Sequence, residues 1–140
     1  MTEVKIISVG FGGFLGALAR YYLYAPLNSN SVFPWGTLTV NLLGSFLLAF
    51  FLTVALRYFY HRSFLVLAVS TGFTGSFTTF SAVSVEMVKL AAVSPALPVV
   101  YIAASFSAGL FLAFAGRRLG NIFSSIVDGR LMAGEADNVD

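Results

Sequence analysis

Uncharged polar side chains recur at helical spacing in two apolar stretches of the sequence. Thr37, Asn41 and Ser45 stand four residues apart, and Tyr101 and Ser105 repeat that interval further along. Residues four apart lie on one face of a helix, so each set predicts a polar stripe. Amide, phenol and hydroxyl groups can replace part of an ion's hydration shell without holding the ion tightly, as conduction requires. The stripes favour an ion pathway, and hydrogen bonding between helices is the alternative.

Two charged residues, Arg20 and Glu86, stand deepest in the apolar stretches. An ionisable residue within a membrane span indicates a function by default. Each residue also has a structural alternative. Arg20 can extend its guanidinium to the interface from a helix end, and Glu86 can pair with Lys89 on the next turn. The pattern leaves both alternatives open.

The sequence lacks the patterns of common catalytic centres. Its first glycines are spaced G-x-G-G-x-x-G, which fails the dinucleotide-binding fingerprint. Gly12 and Gly16 instead form G-x-x-x-G, which lets another helix approach closely. The chain has no cysteine, so a thiolate metal site is excluded. Its one histidine, His61, lies in the aromatic and basic belt expected at the membrane interface, and the sequence shows no Ser/His/Asp set. We therefore expect that the protein is not an enzyme.

The elements that must position these residues are membrane helices. The chain has only eight Lys/Arg and six Asp/Glu, and 58% of its residues are hydrophobic. No charge occurs in 21–56, 63–85 or 90–116, and Lys5 alone interrupts 4–19. A bilayer core of about 30 Å needs roughly 20 apolar helical residues, so each stretch can span. The predicted fold class is an all-α integral membrane protein with four transmembrane helices.

The expected helices form one transmembrane domain over residues 1–120, at about 4–24, 35–56, 64–92 and 97–119. Arg20-Tyr21 follows the first stretch in place of a cleavage site, so we expect a retained helix rather than a signal peptide. Residues 121–140 predict a short interfacial segment and an acidic disordered tail. Lys and Arg favour the side of the termini by six to two, which predicts cytoplasmic termini.

The third stretch predicts a broken helix. Its run 70–81 contains Gly72, Gly75 and several hydroxyl residues, and both glycine and threonine weaken a helix. A break at mid-membrane depth survives only where the backbone is buried in protein or lines a polar cavity. Broken helices of this kind coordinate ions in transporters. Close helix packing through small residues is the alternative.

Three blocks of the sequence resemble the Fluc (CrcB) family of fluoride channels. The first is 12–17 with Arg20-Tyr21, the second is 36–46, and the third is 72–81 followed by Glu86. Tyr101 and Ser105 give a weaker match in the fourth helix. The blocks occur in order, and the resemblance covers all four spans.

The resemblance implies a passive channel that exports cytoplasmic fluoride across the cell membrane. It implies an antiparallel, dual-topology dimer with two pores and a structural sodium ion at its interface, bound by backbone carbonyls of Gly75 and Thr78. The implied partners are fluoride, the lipid bilayer and a second subunit. Arg20 would lie in the vestibule, Asn41 would donate to fluoride, and Phe80 would present its positive ring edge. The expected pore residues are Thr37, Asn41, Phe77, Phe80, Ser81, Val83, Tyr101 and Ser105, with Thr79 and Glu86 as further polar residues.

The chain departs from the family pattern T-T-F-S-T-F, because Ala82 replaces its third threonine and Val83 replaces its second phenylalanine. Phe77, one turn before Phe80, is a possible substitute. A homodimer is expected, and a heterodimer with one degenerate pore is the alternative. Two further hypotheses are a proton-coupled small transporter with Glu86 as proton carrier, and a non-conducting assembly subunit.

Overall fold

The computed structural model describes residues 2–28, 31–59 and 63–136. Within these ranges four helical stretches are long and apolar enough to cross a membrane. They confirm the predicted all-helical protein with four membrane spans. Helix α1 covers Thr2–Asn28, α2 covers Trp35–Tyr58, the third span covers Ser63–Val93 in several pieces, and α6 covers Ala96–Ala136.

The third span is interrupted inside the run that predicted a break. It consists of α3 (Ser63–Leu67), a π-helical segment (Ala68–Thr74), α4 (Gly75–Phe77) and α5 (Phe80–Val93). Thr78 and Thr79 between α4 and α5 have extended backbone, with ψ of 159° and 121°. The Thr79 hydroxyl then caps α5 by accepting from the Ala82 amide at 3.2 Å. The π-helical segment was not predicted.

Helix α1 packs closely against the π-helical segment through glycines on both sides. A Cβ atom added at Gly12 would overlap the Ala68 carbonyl, and one at Gly16 would overlap the Phe73 carbonyl. On the opposite side, a Cβ at Gly72 would meet the Val9 carbonyl. The close helix approach predicted from Gly12 and Gly16 is therefore confirmed.

Helix α6 lies along α2 and continues beyond the expected span. At Gly116 a Cβ would overlap the Phe46 carbonyl. The helix then runs without interruption through 121–136, where we predicted a separate segment and a disordered tail. No proline follows Pro98 to end it, and Asp128 pairs with Arg57 at the end of α2. Residues 137–140 of the expected tail, and His61, lie outside the described residues.

The outer surface of the described chain carries many large apolar side chains. Phe106, Phe111 and Phe114 on α6 are each more than 60% exposed, whereas the buried apolar cluster is small and includes Leu38 and Leu90. Large exposed apolar faces mark contact with lipid or with other protein subunits. The protein is therefore a multi-pass membrane protein whose outer faces meet lipid or another subunit.

Candidate ion pathway

Asn41, in the second turn of α2, hydrogen-bonds to the backbone at the break in the third span. Its Nδ2 donates to the Thr79 carbonyl at 3.0 Å, and its Oδ1 accepts from the Thr79 amide at 2.8 Å. The break removes these two backbone groups from the helix ladder, and lipid cannot satisfy them. An Asn side chain offers a donor and an acceptor together, so one residue satisfies both groups. Sequence reasoning had not predicted this pairing.

The same amide borders a cavity of about 460 Å³ between α2, α5 and α6. Phe80, which is 80% exposed, lines it together with Ser105. A primary amide carries two N–H groups, and the only acceptor that Asn41 Nδ2 has among the described residues is the Thr79 carbonyl. One N–H is therefore left for a ligand in the cavity. The lining residues are Asn41, Ser45, Phe80, Val83, Ile102, Ser105, Phe106, Gly109 and Leu110.

A second cavity, of about 310 Å³, lies against the break itself and shares Asn41, Ser45 and Phe80 with the first. In a continuous helix the carbonyls of Gly75 and Thr78 would bond to the amides of residues 79 and 82. Here the Thr79 amide donates to Asn41 and the Ala82 amide donates to the Thr79 hydroxyl. Both amides are thus diverted from the two carbonyls that the resemblance implies for sodium.

A third cavity, of about 430 Å³, connects the break with the end of α1. Arg20, which is half-buried, lines it together with Thr79 and Ser81. The Ser81 and Thr79 hydroxyl oxygens lie 3.1 Å apart. An adjoining cavity of about 280 Å³ shares Ser81 and contains Glu86 and Lys89. The structure therefore places Arg20, the predicted vestibule residue, at the same cavity as the predicted polar residue Thr79 and the predicted pore residue Ser81.

Glu86 is buried and accepts hydrogen bonds from two predicted pore residues. The Thr37 hydroxyl donates to Oε1 at 2.5 Å, and the Tyr101 phenol donates to Oε2 at 2.9 Å. Both donors are fully buried. The polar stripes of α2 and α6 therefore begin at a shared carboxylate, and only Asn41, Ser45 and Ser105 reach the 460 Å³ cavity.

Phe77, unlike Phe80, does not line the 460 Å³ cavity. Its side chain is 2% exposed and stacks on Phe73, with ring centroids 5.5 Å apart. Phe77 precedes the extended residues, so its side chain packs into the subunit, whereas Phe80 follows them and faces the cavity. Val83 borders that cavity but also packs in the buried cluster with Leu38 and Tyr101.

Two glycines shape the pathway and were missed by sequence reasoning. Gly109 lines the 460 Å³ cavity, and it continues the four-residue interval of Tyr101 and Ser105, so the spacing could have identified it. Gly44 lies against the break, where an added Cβ would overlap the Thr78 methyl group. Only the packing of α2 on the break reveals that role.

Four spans, an interrupted third span and two cavities that share lining residues beside the break define a small multi-pass membrane protein. A family model described as "CrcB-like protein, Camphor Resistance (CrcB)" matches residues 7–117. The chain belongs to this family.

Named relatives match over most of their length. "Fluoride-specific ion channel FluC" of Thermosipho melanesiensis is 41% identical over 120 residues, covering 84% of this chain and 96% of the relative. "Fluoride-specific ion channel FluC 2" of Geobacillus kaustophilus is 44% identical over 113 residues, covering 79% and 88%. "Fluoride-specific ion channel FluC 1" of Bacillus anthracis is 39% identical over 124 residues, covering 86% and 90%.

Proposed function

We propose that this chain is a passive, fluoride-selective channel that exports the ion from the cytoplasm across the cell membrane. The family membership and the names of the relatives support fluoride as the permeant ion. The observation that carries the proposal is the fixed amide of Asn41, which borders a cavity together with the exposed ring of Phe80. The relatives are ion channels, so the chain is not an enzyme.

The chemistry of the 460 Å³ cavity suits a small, hydrated anion. Asn41 supplies an N–H donor, and Phe80 supplies a ring whose edge carries partial positive charge. The Ser105 hydroxyl donates its hydrogen to the Tyr101 carbonyl at 2.7 Å, so it is not a donor to the cavity. Among the residues that the structure describes, no Lys or Arg lines this cavity, so an anion is bound weakly enough to leave again. Arg20 at the neighbouring cavity raises the local anion concentration without holding the ion inside the pathway.

The proposed assembly is an antiparallel dimer with two pores. Phe80 and Phe106 line the cavity and are 80% and 72% exposed, so one subunit leaves the cavity open at its side. An inverted second subunit would cover it. A homodimer is the simpler assembly. Val83, where the family pattern has phenylalanine, favours a heterodimer with one degenerate pore as the second candidate.

A structural sodium ion at the dimer interface is part of the proposal. The donor set fits a hard cation, because the diverted amides of Thr79 and Ala82 leave the carbonyls of Gly75 and Thr78 outside the regular helix ladder. Carbonyl oxygens suit hard cations. These carbonyls would hold the ion, which would supply positive charge that fixes the two breaks against each other.

Fluoride efflux from liposomes tests the proposal. The full chain is purified alone, reconstituted in vesicles loaded with fluoride, and followed with a fluoride electrode, with chloride-loaded vesicles as the control. We expect rapid efflux of fluoride and none of chloride. No efflux from a folded protein of dimer size would reject the homodimer and direct attention to an inverted partner chain.

A proton-coupled transporter is the competing function, since Glu86 is a buried carboxylate beside the pathway. The two functions differ in their response to a proton gradient. A channel passes fluoride down its own gradient at equal internal and external pH, and an imposed pH gradient drives no accumulation of fluoride beyond the HF leak measured in protein-free vesicles. Proton-driven accumulation of fluoride that disappears in Glu86→Gln would support the transporter instead.

A further inference from the structure

The α6 wall of the 460 Å³ cavity carries a second phenylalanine, Phe106, in addition to Phe80 on α5. Ile102, Phe106 and Leu110 stand four residues apart on α6 and all line the cavity, so they form one row along that face of the helix. Phe106 is the middle member of this row, and its side chain is strongly exposed in the single subunit. Phe106 therefore lies midway along the α6 wall.

Phe106 also lies at about the same level as Asn41 on α2. A Cβ atom added at Gly109 would lie 3.7 Å from the Ser45 hydroxyl oxygen, so α6 contacts α2 at this pair. The two helices run in the same direction, because the next close contacts of α6 use later residues of both helices. One turn earlier on each helix, Asn41 and Ser105 are therefore about level, and Phe106 directly follows Ser105.

Neither serine of the cavity supplies a hydrogen to an anion. The Ser45 hydroxyl donates to the Asn41 carbonyl at 2.9 Å, and the Ser105 hydroxyl donates to the Tyr101 carbonyl at 2.7 Å. A hydroxyl has one hydrogen, so both serines present only oxygen lone pairs to the cavity. An anion that loses water here must therefore find positive potential in other groups.

Aromatic ring edges are the source that accompanies the Asn41 amide. The edge of a phenylalanine ring carries partial positive charge, and an aliphatic side chain such as Val83 has no such charge distribution. Among the described residues that line the cavity, only Phe80 and Phe106 are aromatic. They stand on different helices, so their rings can approach an ion from different sides.

We propose that Phe106 is a pore residue whose ring edge contacts fluoride, together with the edge of Phe80 and the remaining N–H of Asn41. This inference rests on the proposed fluoride channel and adds a residue to the same site. The three groups come from α6, α5 and α2, and together they replace part of the ion's hydration shell. None of them carries a full charge, so the ion can leave the site again.

Packing in the proposed dimer is the alternative role for the same exposed ring. A packing residue depends on the shape of its side chain, whereas a ring that contacts an ion depends on its charge distribution. Fluorine atoms at positions 3, 4 and 5 of the ring nearly preserve its shape and make its edge negative. Replacing Phe106 by 3,4,5-trifluorophenylalanine therefore separates the two roles.

The test incorporates this amino acid at position 106 of the full chain by nonsense suppression and measures fluoride efflux from reconstituted vesicles. We expect efflux to fall about tenfold, which corresponds to about 1.4 kcal/mol in the barrier. The elution volume of the protein in detergent should stay that of the native protein. Phe106→Leu, which removes the ring and keeps an apolar side chain, should lower efflux to a similar extent.

Phe111 provides the matched control, because it is a similarly exposed phenylalanine on α6 that does not line the cavity. The same fluorinated residue at position 111, and Phe111→Leu, should each leave fluoride efflux near that of the native protein. Equal losses at positions 106 and 111 would overturn the inference, because a general effect of the substitutions on α6 would explain both.

Two further results would also overturn it. Native efflux from the protein fluorinated at position 106 would show that the charge at the ring edge has no effect. If Phe106→Leu alone lowers efflux, the ring acts through packing. Failure of the proposed channel function is recognised separately, because it appears as absent fluoride efflux from the native protein, and the inference falls with it.

Discussion

Asn41 performs two tasks at one position. Its side chain hydrogen-bonds to the backbone N–H and C=O of Thr79 and so stabilises the break. The same side chain lines the cavity proposed for fluoride. Structural and conducting roles of this side chain are therefore coupled. A substitution that keeps its shape but changes its hydrogen bonding disturbs both.

Replacing Asn41 by aspartate tests this coupling. A carboxylate cannot donate to the Thr79 carbonyl, and leaving a buried carbonyl unsatisfied costs about 1–3 kcal/mol. The added negative charge also repels an anion in the cavity. We expect Asn41→Asp to lower fluoride efflux at least about tenfold, the effect of ~1.4 kcal/mol. Efflux is measured from reconstituted vesicles.

Asn121→Asp is the matched control for this change, because it adds the same charge at an exposed position on α6, beyond the charge-free part of the span. Its efflux should remain near that of the native protein. Unchanged efflux in Asn41→Asp would contradict the proposed pathway and show that fluoride crosses the protein by another route.

At the scale of the element, the third span depends on glycines for its contact with α1. We expect Gly16→Ala to destabilise the subunit by about 1–3 kcal/mol, the usual cost of overpacking, because its Cβ would overlap the Phe73 backbone. Gly10→Ala on the same helix meets nothing within 4 Å and should be neutral or stabilising. Thermal unfolding in detergent, followed by Trp35 fluorescence, compares them, and equal midpoints would argue against close packing.

Hydrogen bonds from α2 stabilise the part of α6 that extends beyond the membrane span, and they give a second prediction at this scale. The Tyr58 phenol bonds to the Ser124 carbonyl at 2.8 Å and to Asp128 at 2.7 Å. Tyr58→Phe removes about 1 kcal/mol of hydrogen bonding, so amide hydrogen exchange over 121–130 should accelerate severalfold. Tyr21→Phe changes an exposed phenol on α1 and should leave that exchange unaltered. An unchanged exchange rate in Tyr58→Phe would mean that these two hydrogen bonds do not stabilise the end of α6.

The sequence predicts those features of the fold and the candidate site that depend on interactions between residues close together in the chain. Charge-free stretches predict the spans, because the bilayer sets their length, and glycine and threonine predict the break because they weaken a helix locally. The pairing of Asn41 with Thr79, and the donation of Thr37 and Tyr101 to Glu86, join residues that are distant in sequence. Spacing identifies the polar face of each helix, but only packing decides which face meets which partner.

At the scale of the whole molecule, the proposed antiparallel dimer requires the chain to insert in both orientations. The structure offers exposed serines toward the two opposite ends of the spans, Ser31 between α1 and α2 and Ser125 on the α6 extension. The native chain has no cysteine. Either serine can thus be converted to a single thiol that reports the side on which it lies.

We expect Ser31→Cys and Ser125→Cys each to react to roughly half with a membrane-impermeant maleimide applied to intact cells, because a two-fold antiparallel dimer contains equal numbers of both orientations. The six-to-two distribution of basic residues opposes this expectation, since it favours cytoplasmic termini. If only the thiol at position 31 is labelled from outside, the chain has one orientation. Because an antiparallel pair would then need an inverted partner of different sequence, that result would favour the heterodimer, in which Val83 lies in a pore completed by the partner subunit.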